Sequence, residues 1–242
     1  VASVLDGTAV SRAPPCRLAW LAVGFTGFGE YAIDFYDGLV ADNSKPYWNA
    51  NVETYRRDVR GPMEALLAEL ADEFSDLGEP KVFRPYRDVR FAKDKTPYKA
   101  HCGGVIEAGR GGGACYVEVG PAGLRAGGGC FHLAADQLAR FRQAVDTDVH
   151  GRALERILAD LRGQGWEIAG ETLKTRPRGV PADHPRLELL RHRRLYAIHT
   201  WEPDDTLHEP ECLDRVRRAW RQVRALNEWA RDHVGVSERP RR

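Results

Sequence analysis

Arginines at 84, 87 and 90, lysines at 81, 93, 95 and 99, aspartates at 88 and 94 and a histidine at 101 crowd into one run, KVFRPYRDVRFAKDKTPYKAHCGG from Lys81 to Gly104. From Lys81 to Lys99 there are seven basic side chains against two acids. The whole 242-residue chain has a formal charge of +1, so everything outside the run sums to −4. Cations concentrated on a nearly neutral chain point to a local anion site rather than a polyanion-binding coat. Guanidinium forks match the oxygens of a phosphate or carboxylate. Arg84, Arg87, Arg90, Lys95 and Lys99 are therefore the expected ligand-binding groups, with Tyr98 to orient the guest. Asp88 stands among guanidiniums whose charge lowers its pKa and makes it a weak base. It is expected to organise the arginines, leaving Asp94 or His101 to carry any proton.

These side chains need a scaffold, and the two-residue period of a strand supplies one. Val82, Arg84, Tyr86, Asp88, Arg90 and Ala92 would share one face. Phe83, Pro85, Arg87, Val89 and Phe91 would share the other, which is mostly apolar and is assigned to the core. Each step of two residues advances about 6.6–7 Å, setting Arg84, Asp88 and Arg90 in a row. Asp94-Lys95-Thr96-Pro97 reads as a turn, and Tyr98, Lys99 and His101 would return on a partner strand. A second basic stretch, Leu173 to Arg194, holds seven Lys or Arg against Asp183 and Glu188. Lys174, Arg176 and His184 are candidates to complete the site from that loop. The competing reading makes Asp183-His184-Pro185 the start of a short helix over Leu187 to Arg191.

The run Arg84-x-x-Arg87-Asp88-x-Arg90-Phe91-x-x-Asp94-Lys95-x-Pro97-Tyr98-Lys99 resembles the signature of a widespread family of bacterial and fungal proteins known only as a conserved domain of unknown function. Phe35-Tyr36-x-x-Leu39 with Asn43 and Trp48, the Gly127-Gly128-Gly129 stretch taken as a hairpin, Leu173-Lys174-x-x-Pro177-x-Gly179 and Asp183-His184-Pro185 resemble the same family. The resemblance runs from about Phe25 to Val234. It implies one domain and a location for the site, and it implies no reaction.

Elsewhere the spacing predicts helices over Phe25–Asn43 (Ala32, Phe35, Tyr36, Leu39 and Val40 on one stripe), Lys45–Tyr55, Pro62–Leu77, Ala134–Val145, Gly151–Leu161 and Glu211–Val234. Asn43 and Ser44 are read as a helix junction and Trp48 as a core aromatic. Residues 1–80 hold six basic and thirteen acidic side chains, the acidic side of the molecule. Alternation predicts strands at Cys115–Val119, Cys130–Leu133, Trp166–Thr172 and Leu195–Trp201. The glycines between 103 and 129 lack the Lys-Ser/Thr of a phosphate loop and are read as turn and bulge residues. The expected class is α+β, a single domain over residues 25–234 with an antiparallel sheet of five to six strands, an irregular leader over 1–24 and a frayed tail over 235–242.

No apolar run approaches the ~18 residues of a membrane helix. Five scattered cysteines without a C-x-x-C pair suggest reduced thiols in a cytoplasmic protein. Zinc at Cys130 and His132 with Cys102 or His101 opposite is drawn and set aside, because the ligands are not paired at the usual spacing. The expectation is therefore no metal and no cofactor. Three functional readings follow. The favoured one is a binder of, or enzyme acting on, a small anion. The second is a nucleic-acid-interacting protein using residues 81–99, 174–194 and 215–242, which the near-neutral charge disfavours. In the third, Arg84, Asp88 and Arg90 form an ion-pair network buried against the acidic helices, in a non-catalytic structural or partner-binding module.

Overall fold

Leucines and methionine on one helical stripe, and alternation in the segments that follow, divide this chain into a helical layer and a sheet. The computed structural model describes residues 24–90, 92–108 and 112–238. The leader expected over 1–24 lies, apart from Gly24, outside the described residues. The sheet has six strands in the order β1-β2-β3-β4-β6-β5, all antiparallel. They are β1 (Glu79–Val82), β2 (Cys102–Glu107), β3 (Ala114–Gly120), β4 (Gly123–Cys130), β5 (Glu167–Ala169) and β6 (Leu195–Trp201). The architecture is α+β in a single domain, as the alternation predicts.

Helices α1 (Ala32–Ala41), α2 (Lys45–Thr54) and α3 (Gly61–Ala71) precede the sheet, with a π turn at Tyr55–Arg60 joining the last two. Ser44 caps α2 by accepting from the Tyr47 amide, and Pro46 occupies its first turn. An isolated helix of eleven residues would be marginal in water. Met63, Leu66, Leu67 and Leu70 of α3 are buried, each contributing about 1.5–3 kcal/mol, so packing holds this helix more than propensity does. The α1 stripe is buried at Ala32, Phe35, Tyr36 and Leu39 as expected, but Val40 is exposed. Phe25 and Phe28, expected inside that helix, are buried in the extended segment before it.

After β4 come α4 (Ala135–Asp146), α5 (Asp148–Gly163) and the one-turn α6 (Leu187–Leu190); β6 is followed by α7 (Glu211–Gln222) and α8 (Arg224–His233), which break at Val223 where one helix was expected. The tail expected to fray from 235 is held through 238. Arg140 donates to the Val234 and Val236 carbonyls at 2.6 and 2.7 Å, and Ser237 and the Glu238 amide donate to Asp136.

Register divides the sheet into two unlike faces. Ile106, Cys115, Val117, Val119, Leu124, Ala126 and Ala197 point into one apolar core shared with the helices. A Cβ on Gly104 would touch Leu67 and Met63 of α3, and one on Gly128 would touch Val223 and Asn227. The opposite face carries Val105, Tyr116, Glu118, Arg125 and Ile198, and although Val105 and Ile198 are buried they stand outside that core.

The strand expected over Cys130–Leu133 is absent, since only Cys130 belongs to β4, and two further strand expectations need correction. β1 ends at Val82, and the described residues of 83–101 make one bridge, Tyr86 to Tyr98, rather than a two-stranded hairpin. Arg87 N–H donates to the Pro97 carbonyl and Lys99 N–H to the Pro85 carbonyl, both at 2.8 Å. Pro85 and Pro97 have no N–H to extend the ladder further. The alternation survives as exposure without a sheet: Arg84, Tyr86, Asp88 and Arg90 are exposed, while Phe83, Pro85, Arg87 and Val89 are half-buried rather than core. Secondly, Gly127, Gly128 and Gly129 are interior residues of β4, not a turn. A Cβ on Gly127 would lie 2.2 Å from the Ala197 carbonyl oxygen of the neighbouring strand, so this close approach excludes a larger residue.

Candidate functional site

The loop over 83–101 is fixed to the helical layer by a side chain that replaces a missing strand. The Asn43 amide accepts from the Tyr98 N–H at 3.0 Å and donates to the Tyr98 carbonyl at 3.1 Å. Trp48 stacks on the Tyr98 ring, 4.4 Å between centroids and 7° from parallel. Tyr98 is consequently 5% exposed and serves as floor rather than as a free orienting group. The two helix residues read from the sequence as junction and core do those jobs and hold the loop as well.

Between the end of α1 and this loop lies a pocket of about 350 Å³, in the size range of small-molecule sites. Arg87, Asp94, Thr96, Lys99 and His101 supply its polar lining, and Val40, Asn43, Tyr98 and Ala100 complete it. One Arg87 nitrogen, Nη1, is shared between Asp94 and Thr96. Its other guanidinium nitrogens have no partner among the described residues. Asp94 also accepts from the Thr96 N–H at 2.9 Å, and these bonds, led by that from Arg87, hold its carboxyl at about 2. Asp94 is thus a poor proton carrier at neutral pH.

Asp88 is likewise held at about 2, chiefly by the Arg90 guanidinium, which grips it through Nε at 2.9 Å and Nη2 at 2.7 Å. Both side chains are exposed, so the network expected to be buried against the acidic helices is a surface pair. Arg90 is spent, and Lys95 donates to the Val89 carbonyl at 3.0 Å. Of the expected carriers only His101 remains. Burial, then the nearby Lys99 and Arg125, push its pKa below the usual 6.5 against the opposing pull of Glu118, so the ring is neutral at neutral pH.

Four cations of the run, Lys81, Arg84, Lys93 and Lys99, have no hydrogen-bond or ion-pair partner among the described residues, and two of them lie over one ring. Lys99 Nζ lies 5.2 Å from the Phe83 centroid and Lys81 Nζ 5.7 Å. Among the described residues neither they nor Arg84 has an ion-pair partner. Burial, followed by the charges of Arg84 and Lys81, lowers the Lys99 pKa from its ordinary value.

Sequence reasoning missed Glu118 and its neighbours. Glu118 accepts from the Tyr116 hydroxyl and from Arg125 at 2.7 Å, with His101 Nε2 at 3.7 Å. A signal existed: the two-residue loop Pro121-Ala122 sets Gly120 opposite Gly123 and hence Glu118 opposite Arg125.

Lys174, Arg176 and His184 do not join this site. Their loop connects β5 to β6, at the other edge of the sheet from β1 and β2, roughly 20 Å away at the usual strand spacing. His184 meets Asp146 at 2.9 Å and accepts from the Arg186 N–H, the structural reading weighed for it. The zinc geometry also fails, since Cys130 closes β4 and is buried whereas His132 lies beyond the strand and is exposed. Among the described residues no group of three or more His, Cys, Asp or Glu could hold a metal ion. The arginines of α7 and α8 are largely engaged: Arg215 with Asp204, Arg217 and Arg221 with Glu73, and Arg224 and Arg231 with Asp76. Their pairing removes most of the free charge that a nucleic-acid reading of this helix would need. No described helix is long and apolar enough to cross a membrane.

No curated protein and no solved structure was found to match the chain. A family model described as "conserved hypothetical protein (DUF2461)" matches residues 31–229, which include every helix and strand that builds the pocket. The chain belongs to the conserved hypothetical protein family DUF2461.

Proposed function

We infer that the protein binds a small anion bearing a phosphate or carboxylate at the pocket beside Lys99, with the spare Arg87 donors and Arg84 assisting. One observation carries this reading: Lys81 and Lys99 lie over the Phe83 ring, Arg84 is close enough to depress the Lys99 pKa, and none of the three has an ion-pair partner among the described residues. Lys99 is half-buried beside like charges, and that repulsion costs free energy that a structural network would relieve with an acid and an anionic guest would relieve here. His101 is the group able to exchange a proton with such a guest, because Asp88 and Asp94 are held ionised. Asp94 serves to position Arg87 and Thr96.

The test is thermal unfolding with inorganic phosphate, pyrophosphate and citrate. A ligand that binds only the folded state raises the Tm in a concentration-dependent way. The expected result is a rise with at least one of the three, lost in Lys99→Met and kept in Lys93→Met, whose lysine is exposed and stands alone. No shift with any of them, or equal loss in both variants, would overturn the reading.

A further inference from the structure

The sheet face turned away from the helices carries a line of aromatic rings that begins at the uncommitted cations. Phe83 and Tyr116 have centroids 6.4 Å apart, Tyr116 and Phe131 5.2 Å, and Phe131 and Tyr196 4.5 Å at 20°. All four rings are half-buried. Tyr116 is paired with Gly127 and Tyr196 with Gly129, so strand β4 offers no side chain between them. A Cβ on Gly103 would come within 2.8 Å of the Tyr116 hydroxyl and 3.2 Å of Phe83. These glycines let the rings lie close to the sheet, where Phe83 and Tyr116 are tilted by 34° to each other.

Charge along this surface is lopsided. Lys81 and Lys99 flank Phe83 at one end, with Arg84 beside them. Towards the middle Arg125 is neutralised by Glu118, and next to Tyr196 both Arg193 and Arg194 meet Glu171. A single-stranded nucleic acid tracks cations along its whole backbone. One end rich in unpaired cations and an aromatic remainder whose arginines are all paired suit a smaller guest.

Resting on the anion reading above, we propose that the ligand is a phosphate ester of a planar heteroaromatic group, a mononucleotide in its simplest form. Its phosphate sits at Lys99 and Arg84, and its ring lies on Phe83 and Tyr116. The ring supplies selectivity, since stacking on an aromatic side chain strengthens binding by about tenfold or more per base. Gly103 leaves room on the sheet for the Phe83 and Tyr116 rings.

Calorimetric titration with inorganic phosphate, ribose 5-phosphate, AMP, GMP, CMP and flavin mononucleotide tests this. At least one ring-bearing ester is expected to bind about tenfold or more tightly than ribose 5-phosphate. Phe83→Leu, which keeps apolar bulk and removes the ring, is expected to reduce that preference, measured as the ratio to ribose 5-phosphate in the same variant, to threefold or less. Lys99→Met should weaken both. Binding of phosphate and ribose 5-phosphate with no ring preference would overturn this inference and leave the anion reading standing. Failure of every probe would overturn both. A twelve-nucleotide single strand bound a hundredfold more tightly than any mononucleotide would replace the proposed guest with nucleic acid.

Discussion

Two loops of this protein carry the same charge excess and use it in opposite ways. Residues 81–99 and 173–194 each hold seven basic side chains against two acids. In the second loop, Arg176 donates to the Val180 carbonyl, Arg191 to Glu188 and to the Leu173 and Lys174 carbonyls, and Arg193 and Arg194 meet Glu171. Arg186 is buried and spends its guanidinium on the Val145 and Asp146 carbonyls and on Asp148. Lys174 and Arg178 are exposed and stand singly. In the first loop Arg87 and Arg90 have acid partners, but Lys81 and Lys99 lie over one ring with Arg84 acting on Lys99, and none of the three has an acid partner among the described residues. Net charge therefore does not identify a site. On the proposed reading, unspent donors beside a pocket do.

The largest expected effect separates the two loops on stability. Arg186→Ala strands the carbonyls of the α4–α5 junction and should cost about 3 kcal/mol, read from the denaturant midpoint, whereas Lys99→Met should leave the midpoint unchanged or raise it. Equal losses would erase the distinction between a structural and a functional basic loop. Asn43→Ala removes both bonds to the Tyr98 backbone and should cost about 2 kcal/mol, while also weakening anion binding by loosening the pocket wall. A variant that loses stability and keeps full affinity would show that the loop holds its shape without this clamp.

A pH titration sharpens the comparison from the site's side. The His101 pKa is depressed in the folded state, so below the ordinary 6.5 the unfolded chain binds a proton that the folded chain does not. Stability should fall as pH drops through that region, and His101→Gln should flatten the slope; an unchanged slope would mean that other groups set it. The smallest effect is expected from Asp88→Ala. Asp88 and Arg90 form an exposed pair, and removing it should leave the unfolding midpoint within error. Unfolding would instead restore the idea of a buried network.

How far the sequence carried these conclusions depended on the kind of signal each segment held. Leu195–Trp201 alternates against two neighbours, and the observed strand has those bounds. Met63, Leu66, Leu67 and Leu70 repeat at helical spacing and are buried. The segment after Val82 alternates too, yet its two prolines and the Asn43 clamp replace a ladder, and neither effect changes hydrophobic periodicity. β4 was obscured because Gly127–Gly129 have no side chains to alternate. For the site, Arg87, Asp94, Lys99 and His101 were named from the sequence and do line one pocket. Lys174 and His184 were assigned to it on charge alone, which carries no information about which edge of a sheet a loop serves. The sequence points to Tyr98 as a group orienting the guest because the ring that covers it, Trp48, is fifty residues earlier in the chain.

The central claim is that Lys99 is a cation held among like charges without an acid, awaiting an anion. NMR titration of ¹³C-labelled lysine side chains measures its pKa directly. The value should lie below the ordinary 10.5 in the free protein, rise when Arg84 is replaced by Ala, and rise when inorganic phosphate is added. A Lys99 pKa at or above 10.5 that responds to neither change would contradict the account.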